Sequence, residues 1–241
     1  MTIAVLTTGA SMSMERRLGS KLISENLVTT EPATDLHGVG THWVSLLAAL
    51  APKATIISIK VLFKSGSTKF NIVANGINRA VSLGANILIL PLGAPSTARY
   101  SAVTNAVNAA LDSGMIVVAS AGNSGKRNIA YPANIDGVIA VGASDHQDNV
   151  SGYSQYGGKI IFAPGNSILA HYGESKKLKI SGTNESVTVA GAIYAVLWSQ
   201  RPSASVREIA DIVERTGRTI SVKGEQAVRI DAAAALEALM K

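Results

Sequence analysis

The chain has 241 residues, of which 47% are apolar, and a formal net charge of +6 at pH 7. This length and apolar content suit one large α/β domain, so we expect a single domain over residues 1–241 with no prodomain. The absence of cysteine excludes disulfides, thiolate chemistry and cysteine-ligated metal sites. The positive charge does not indicate a nucleic-acid partner, because only 16% of the residues are charged and no nucleic-acid-binding motif accompanies them.

Short apolar runs rich in Ile and Val alternate along the chain with segments of helical periodicity. The apolar runs cover residues 3–6, 55–62, 87–90, 115–119 and 138–141, and the helical segments cover residues 41–50, 71–83 and 98–112. Because the runs do not alternate with polar residues, we expect strands that are buried on both faces of a parallel sheet. The repeated β-α-β order predicts a doubly wound α/β fold.

The C-terminal third predicts three helices. A long helix is expected from about Ser186 to Pro202, and Ser203 is expected to cap a second helix that ends near Gly217. An alanine-rich helix follows over residues 231–239. Residues 122–132 and 157–175 are predicted to be irregular loops, and binding sites in open α/β sheets lie beside such loops at the carboxyl ends of the strands.

The N-terminal segment MTIAVL lacks the basic start, the long apolar middle and the small-residue cleavage site of a signal peptide. No apolar run approaches the length that spans a membrane. We therefore expect a soluble, cytoplasmic protein with no membrane partner.

Several motifs occur in an order that points to one family. They are IAVLTTG at positions 3–9, HGVGTH at 37–42, PLGAPS at 91–96, ASAGNSG at 119–125, YP at 131–132, FAPG at 162–165, SGTNES at 181–186 and VAGA at 189–192. Together they resemble the subtilisin-like serine protease family (subtilases, peptidase S8) over almost the whole chain. The resemblance implies a three-layer α/β fold in which helices flank a mostly parallel, doubly wound sheet.

The resemblance also shows three departures at the catalytic positions. Thr7, Val39 and Asn184 stand where the family has its acid, base and nucleophile. Serine-dependent acyl transfer needs an imidazole that accepts the hydroxyl proton and a carboxylate that orients the imidazole, and these three side chains supply neither. The segment between Gly182 and Val189 is one residue shorter than the family pattern, so counting back from Val189 places Thr183 at the nucleophile position instead. We therefore predict a catalytically inactive homologue, a pseudoprotease, and no enzyme activity.

The binding elements of the family are retained. Asn123 matches the oxyanion-hole asparagine, which donates a hydrogen bond to a carbonyl oxygen. Subtilases hold an extended peptide by backbone hydrogen bonds, a form of strand addition. The positions implied here are Gly66, Ser67 and Thr68 on one side, Pro91, Leu92 and Gly93 on the other, and Ala121, Gly122 and Asn123 at one end. This predicts a peptide or protein partner, with an active protease, its substrate or the other subunits of a hetero-oligomer as candidates, and no cofactor or metal.

Two alternatives stay open. One is a divergent serine or threonine peptidase in which Thr183 or Ser186 acts with His37 or His42. The other is a structural subunit whose cleft is filled by its own side chains. For the individual side chains we expect a packed helix residue at His42, a loop or cap residue at Asp35, and a helix-start hydroxyl at Ser186 that satisfies backbone N–H groups.

Overall fold

The structure is a computed structural model that describes all residues from 1 to 241. Its strands are β1 (Thr2–Thr7), β2 (Leu22–Asn26), β3 (Thr55–Lys60), β4 (Ile87–Leu90), β5 (Ile116–Ser120), β6 (Ile139–Ser144), β7 (Ile160–Pro164), β8 (Ile168–Tyr172), β9 (Lys176–Ile180), β10 (Arg218–Val222) and β11 (Glu225–Arg229). The α-helices are α1 (Met12–Leu18), α2 (Val39–Leu50), α3 (Phe70–Ser82), α4 (Ser101–Asp112), α5 (Thr183–Gln200), α6 (Val206–Thr216) and α7 (Ala232–Leu239), and a short 3-10 turn covers Gly19–Lys21.

Nine of the strands form one sheet in the order β10-β11-β7-β6-β5-β4-β1-β3-β2. All neighbouring pairs are parallel except β10 and β11, which form an antiparallel hairpin at one edge. Strands β8 and β9 form a separate antiparallel hairpin that packs on α2. This arrangement confirms the predicted α/β fold with a mostly parallel, doubly wound sheet.

The core is divided by the sheet into two apolar layers. In β1, Ile3 and Val5 pack with α2 and the C-terminal helices, whereas Ala4 and Leu6 pack with α3 and α4 on the opposite face. All four side chains are fully buried. Burial on both faces explains why the strand sequences are continuous apolar runs, because successive strand residues point to opposite sides of the sheet.

The predicted strands and helices are confirmed with shifts at their ends, and three local predictions are wrong. Helix α5 begins at Thr183, so Ser186 lies inside its first turn, where its hydroxyl donates to the Gly182 carbonyl rather than accepting from an N–H group. The N-cap of α6 is Ser205 and not Ser203, because Glu208 lies three residues after Ser205 and completes a reciprocal capping box. Residues 157–175 are not irregular, since β7 and β8 lie within them.

None of the helices combines the length and the apolar character that crossing a bilayer requires.

Candidate functional site

Thr7, which the sequence predicts to stand at the position of the family's acid, ends β1 and is completely buried. Its hydroxyl oxygen lies 3.0 Å from the hydroxyl oxygen of Ser58 on β3 and accepts the N–H of Gly9 at 2.9 Å. The side chain therefore joins two neighbouring strands and the loop that follows β1. Its contacts are those of a structural hydroxyl.

The loop before α2 is organised by Asp35. Its carboxylate accepts hydrogen bonds from the hydroxyl groups of Thr8 and Thr41 and from the N–H groups of His37, Gly38 and Thr41, at 2.7–3.0 Å. This confirms Asp35 as a loop and capping residue. Helix α2 then begins at Val39, so the position of the family's base opens the helix and lines the cleft with an alkyl side chain.

His42 lies one turn further along α2 and is fully buried, as predicted. Its Nε2 lies 3.2 Å and 3.3 Å from the carbonyl oxygens of Ile168 and Leu178, so this nitrogen carries the proton and fixes the β8–β9 hairpin to the helix. Its Nδ1 has no hydrogen-bond partner. Burial lowers the pKa of His42, which keeps the ring neutral. His42 does not line the cleft.

A second buried ionisable group lies beside His42. The Oε1 atom of Glu185 is 3.9 Å from Nδ1 of His42 and accepts a hydrogen bond from the indole N–H of Trp43 at 3.1 Å. Burial raises the pKa of Glu185, because the charged form would lose its hydration. The two groups therefore favour their neutral forms and do not act as an ion pair.

The start of α5 carries the two positions that the sequence leaves open for the nucleophile. Thr183 is completely buried, and both its N–H and its hydroxyl donate to Oδ1 of Asn123, at 2.8 Å and 2.9 Å. Ser120 donates to Oδ1 of Asn184 at 2.9 Å and lies 2.6 Å from the hydroxyl of Thr183. Asn184 lines the cleft, whereas Thr183 and the equally buried Ser186 do not.

Hydrogen bonds from Thr183 fix the side chain of Asn123 and leave its amide nitrogen without a partner. Its side-chain oxygen accepts both bonds from Thr183, and its side-chain nitrogen makes no hydrogen bond within the chain. The residue is exposed and lines the cleft. The amide can therefore donate to a carbonyl oxygen of a molecule bound there, as the sequence predicts.

The cleft itself is an open cavity of about 790 Å³ at the carboxyl ends of β4 and β5. Of the nine predicted peptide-contacting residues, eight line it: Gly66, Ser67, Thr68, Pro91, Leu92, Gly93, Gly122 and Asn123. Ala121 does not, because its side chain is fully buried in the core behind the cleft. An open cavity of this size also contradicts the alternative of a cleft filled by its own side chains.

Both predicted walls of the cleft have backbone groups that lack partners. The N–H and C=O groups of Leu92 and Gly93 make no hydrogen bond within the chain, and neither does the carbonyl of Pro91. On the opposite wall the carbonyl of Gly66 and both backbone groups of Thr68 are also without a backbone partner. Backbone groups of this kind are what an added extended strand needs.

Sequence reasoning missed several residues of the cleft. The additional lining residues include Trp43, Phe70, Lys126, Ala130, Tyr131 and Gln155. Trp43 carries no sequence signal for the site, because its position in α2 is that of an ordinary core residue. His37 is the only histidine that lines the cleft, and its Nδ1 has no hydrogen-bond partner. No group of three or more acidic or histidine side chains is arranged to hold a metal ion, and the expectation of no metal stays a prediction.

The fold and the cleft together define a subtilisin-like α/β protein. The sequence profile of the subtilase family (peptidase S8) matches residues 25–230. The chain therefore belongs to the subtilase family.

The relatives of the chain include several bacterial proteases. Thermitase from Thermoactinomyces vulgaris is 35% identical over 234 residues, which cover 92% of this chain and 82% of thermitase. Subtilisin Savinase from Lederbergia lenta is 34% identical over 229 residues, or 90% of this chain and 83% of that protein. M-protease from Shouchella clausii (strain KSM-K16) is 34% identical over 225 residues, which cover 89% of this chain but 58% of the protease.

Solved structures agree with the fold. A point mutant of the protease domain of PatA superposes with a TM-score of 0.90 at 22% identity and covers 100% of this chain and 95% of its own. The prenylagaramide maturation protease PagA gives a TM-score of 0.87 at 20% identity, with 99% and 93% covered. At these identities the likeness shows the fold alone.

The prediction that the chain is not an enzyme is wrong. The comparisons contradict it, because the relatives that match most of the chain are proteases by name. The physical reason is that the prediction depended on three side chains. It took Thr7, Val39 and Asn184 as the acid, base and nucleophile positions and gave no weight to the cleft, the amide of Asn123 and the imidazole of His37, all of which the structure contains.

Proposed function

We propose that this chain binds an extended segment of a peptide or protein partner in its cleft, by backbone hydrogen bonds to both walls. The observation that carries this proposal is the set of unpaired backbone groups at Leu92, Gly93, Gly66 and Thr68, which lie on opposite sides of one open cavity. A bound strand would pair with both walls, and the Asn123 amide would hold one of its carbonyl groups.

The geometry at Gly93 supports a sharp test of strand binding. A Cβ atom built on Gly93 lies 3.4 Å from the Cβ of Ala130 and from the carbonyl oxygen of Tyr131, an ordinary packing distance. A small side chain therefore fits the fold, whereas a leucine would extend into the space between these cleft-lining residues.

The experiment measures binding of a library of extended peptides to the wild-type chain and to Gly93→Leu. We expect saturable binding to the wild type and its loss in the variant. Gly152→Leu is the matched control, because Gly152 is exposed, has open space around its Cβ and does not line the cleft. Thermal unfolding of all three proteins shows whether they are folded. Absence of saturable binding to any peptide, or unchanged binding by Gly93→Leu, contradicts the proposal.

Hydrolysis of the bound peptide is the second candidate function, and the named proteases among the relatives support it. The group in this chain that suits the role of proton acceptor is His37, because it is the imidazole that lines the cleft. Its Nδ1 is buried and unpaired, so the nitrogen that suits the role is Nε2, which lies beside the cleft residue Gly66. Thr183 and Ser186 suit the nucleophile role less than an exposed hydroxyl, since both are completely buried.

Turnover of the library peptides, followed by mass spectrometry, tests this second candidate. Hydrolysis that proceeds over many turnovers and is lost in His37→Gln supports it, and a serine-reactive phosphonate then identifies the hydroxyl that attacks. Hydrolysis that is unchanged in His37→Gln contradicts the role of this residue.

A further inference from the structure

One charged residue lines the cleft, and it is positive. Among the 27 residues that line it there is no aspartate or glutamate, although the chain contains 16 of them. The lining residues do include Lys126, which is exposed and takes part in no ion pair. Its neighbour Arg127 differs, because it is paired with Glu225.

Two further lysines lie beside one wall of the cleft. Lys64 and Lys69 flank the segment of Gly66, Ser67 and Thr68; both are exposed and neither forms an ion pair. They do not line the cleft themselves, so Lys126 is the positive charge that a bound peptide meets within it.

Three acidic groups on segments that also contribute residues to the cleft or its surroundings are already compensated. Glu31 lies 3.2 Å from the ammonium group of Lys60 and also accepts the N–H of Lys64. The carboxylate of Asp35 accepts five hydrogen bonds from its own loop and the start of α2. Glu185 lies beneath the cleft, where burial raises its pKa and favours the uncharged acid. None of these three groups balances the charge of Lys126.

We propose that the cleft selects peptides with an acidic side chain, and that Lys126 is the residue that sets this preference. The inference rests on the proposed function, because it needs a peptide in the cleft. Lys126 shares the lining with Ser124, Asn128 and Ala130, so a bound peptide can direct a carboxylate of aspartate or glutamate toward its ammonium group. Because Lys126 is exposed, the attraction is that of a solvent-exposed ion pair, which is modest and is screened by salt.

The test uses peptides of about six residues with acetylated N-termini and amidated C-termini, so that the ends carry no charge. Each position in turn carries glutamate, glutamine or lysine in an otherwise identical sequence, and the mass of every recovered peptide is measured to show that it stayed intact. We expect glutamate at one position to bind about threefold more tightly than glutamine and lysine to bind more weakly, with the difference reduced by salt.

Charge reversal at Lys126 assigns the preference to this residue. In Lys126→Glu the order is expected to invert, so that lysine at the same peptide position binds more tightly than glutamate. The control is Lys53→Glu, which makes the same change at an exposed lysine outside the cleft and should leave the order unchanged. An inverted order requires a folded cleft, so it cannot arise from unfolding.

The outcomes separate the two proposals. Binding in which glutamate and glutamine are equal, or in which Lys126→Glu keeps the wild-type order, overturns this inference and leaves the proposed function intact. Failure of every peptide to bind overturns the proposed function and the inference with it.

Discussion

Two neighbouring regions at the carboxyl ends of the strands have opposite character. Of the three residues predicted to stand at the catalytic positions, Thr7 and Asn184 use their side chains in hydrogen bonds to the surrounding structure, and the side chain of Val39 has no polar atom. Elsewhere along the cleft, which Val39 and Asn184 also line, the backbone groups of Leu92 and Gly93 and the amide nitrogen of Asn123 have no partner in the chain. The polar side chains of the first region have hydrogen-bond partners within the chain, whereas the polar groups of the second region are free to bind another molecule.

The difference shows that one part of a site can change its chemistry while the adjoining part keeps its geometry. Thr7 stabilises the fold through Ser58 and Gly9, so that position now contributes to stability. The cleft walls contribute little in this way, because unpaired groups add no internal hydrogen bond. Substitutions in the first region should therefore change the stability of the protein, and substitutions in the second should change its binding.

The largest effect on stability is expected for His42, which lies on α2 and contacts the β8–β9 hairpin. His42→Ala removes the hydrogen bonds to the carbonyl groups of Ile168 and Leu178 and leaves a cavity, so we expect a loss of about 3 kcal/mol in the free energy of unfolding. Urea unfolding measures it, and hydrogen exchange should show faster opening of the β8–β9 hairpin. His42→Gln retains an N–H donor and should lose less; an equal loss in both variants would show that the hydrogen bonds matter little.

A smaller effect on stability is expected at Thr7. Thr7→Val keeps the shape of the side chain but leaves the buried N–H of Gly9 without its acceptor, so we expect a loss of about 2 kcal/mol. Thr7→Ser keeps the hydroxyl and loses one methyl group, which costs about 1 kcal/mol. Peptide binding should be unchanged in both. If valine were as stable as threonine, the hydroxyl would have no structural role.

The corresponding change in the second region is at Asn123. Asn123→Asp keeps an acceptor for Thr183 but removes the N–H that faces the cleft, so binding of an uncharged peptide should weaken about tenfold, equivalent to about 1.4 kcal/mol. The control, Ser124→Asp, adds the same charge at the next cleft residue without removing the donor. Equal losses in the two variants would mean that charge, and not the amide donor, explains the effect.

The smallest expected effect is on the pH dependence of stability. Burial raises the pKa of Glu185 above its ordinary value of 4.5, so its contribution to stability is present below pH 4.5 and is lost as the pH rises through the raised value. Glu185→Gln keeps an acceptor for the Trp43 N–H but cannot ionise. Its stability relative to the wild type should therefore increase as the pH rises above 4.5, measured by urea unfolding at a series of pH values. A constant difference would contradict the raised pKa.

The titration of His42 has the opposite effect on the pH dependence of stability. Burial lowers its pKa below the ordinary value of 6.5, so its contribution is present above pH 6.5 and is lost as the pH falls through the lowered value. The wild-type protein should therefore lose stability toward both ends of the range, and Glu185→Gln should correct only the alkaline side.

The sequence predicted the main strands and helices because their apolar patterns are strong and buried. It missed β2, the β8–β9 hairpin and the β10–β11 hairpin, whose residues are largely half-buried or exposed and so lack a continuous apolar run. It also missed the buried strand β7, because the glycines before it and the Pro-Gly pair at its end are typical of a loop. It also placed the α6 cap two residues early, because both Ser203 and Ser205 suit an N-cap and only the position of Glu208 distinguishes them.

For the site, the resemblance was sufficient to locate eight residues of the cleft, including Asn123, because each lies within a short segment of fixed local geometry. The sequence could not locate Trp43, Lys126 or Gln155 in the cleft, since side chains from separate elements meet there only after the sheet has formed. It also could not show that Thr183 is buried whereas His37 faces the cavity, although both stand beside a replaced catalytic position.

The sequence by itself determined the fold and the family of this protein. Those properties follow from local patterns of apolar residues and from short motifs, which are contiguous along the chain. Only the tertiary structure decided which backbone groups stay unpaired, which acids are compensated and that Lys126 stands alone in the cleft. These properties depend on the partners that each group finds in space, and the linear sequence does not specify those partners directly.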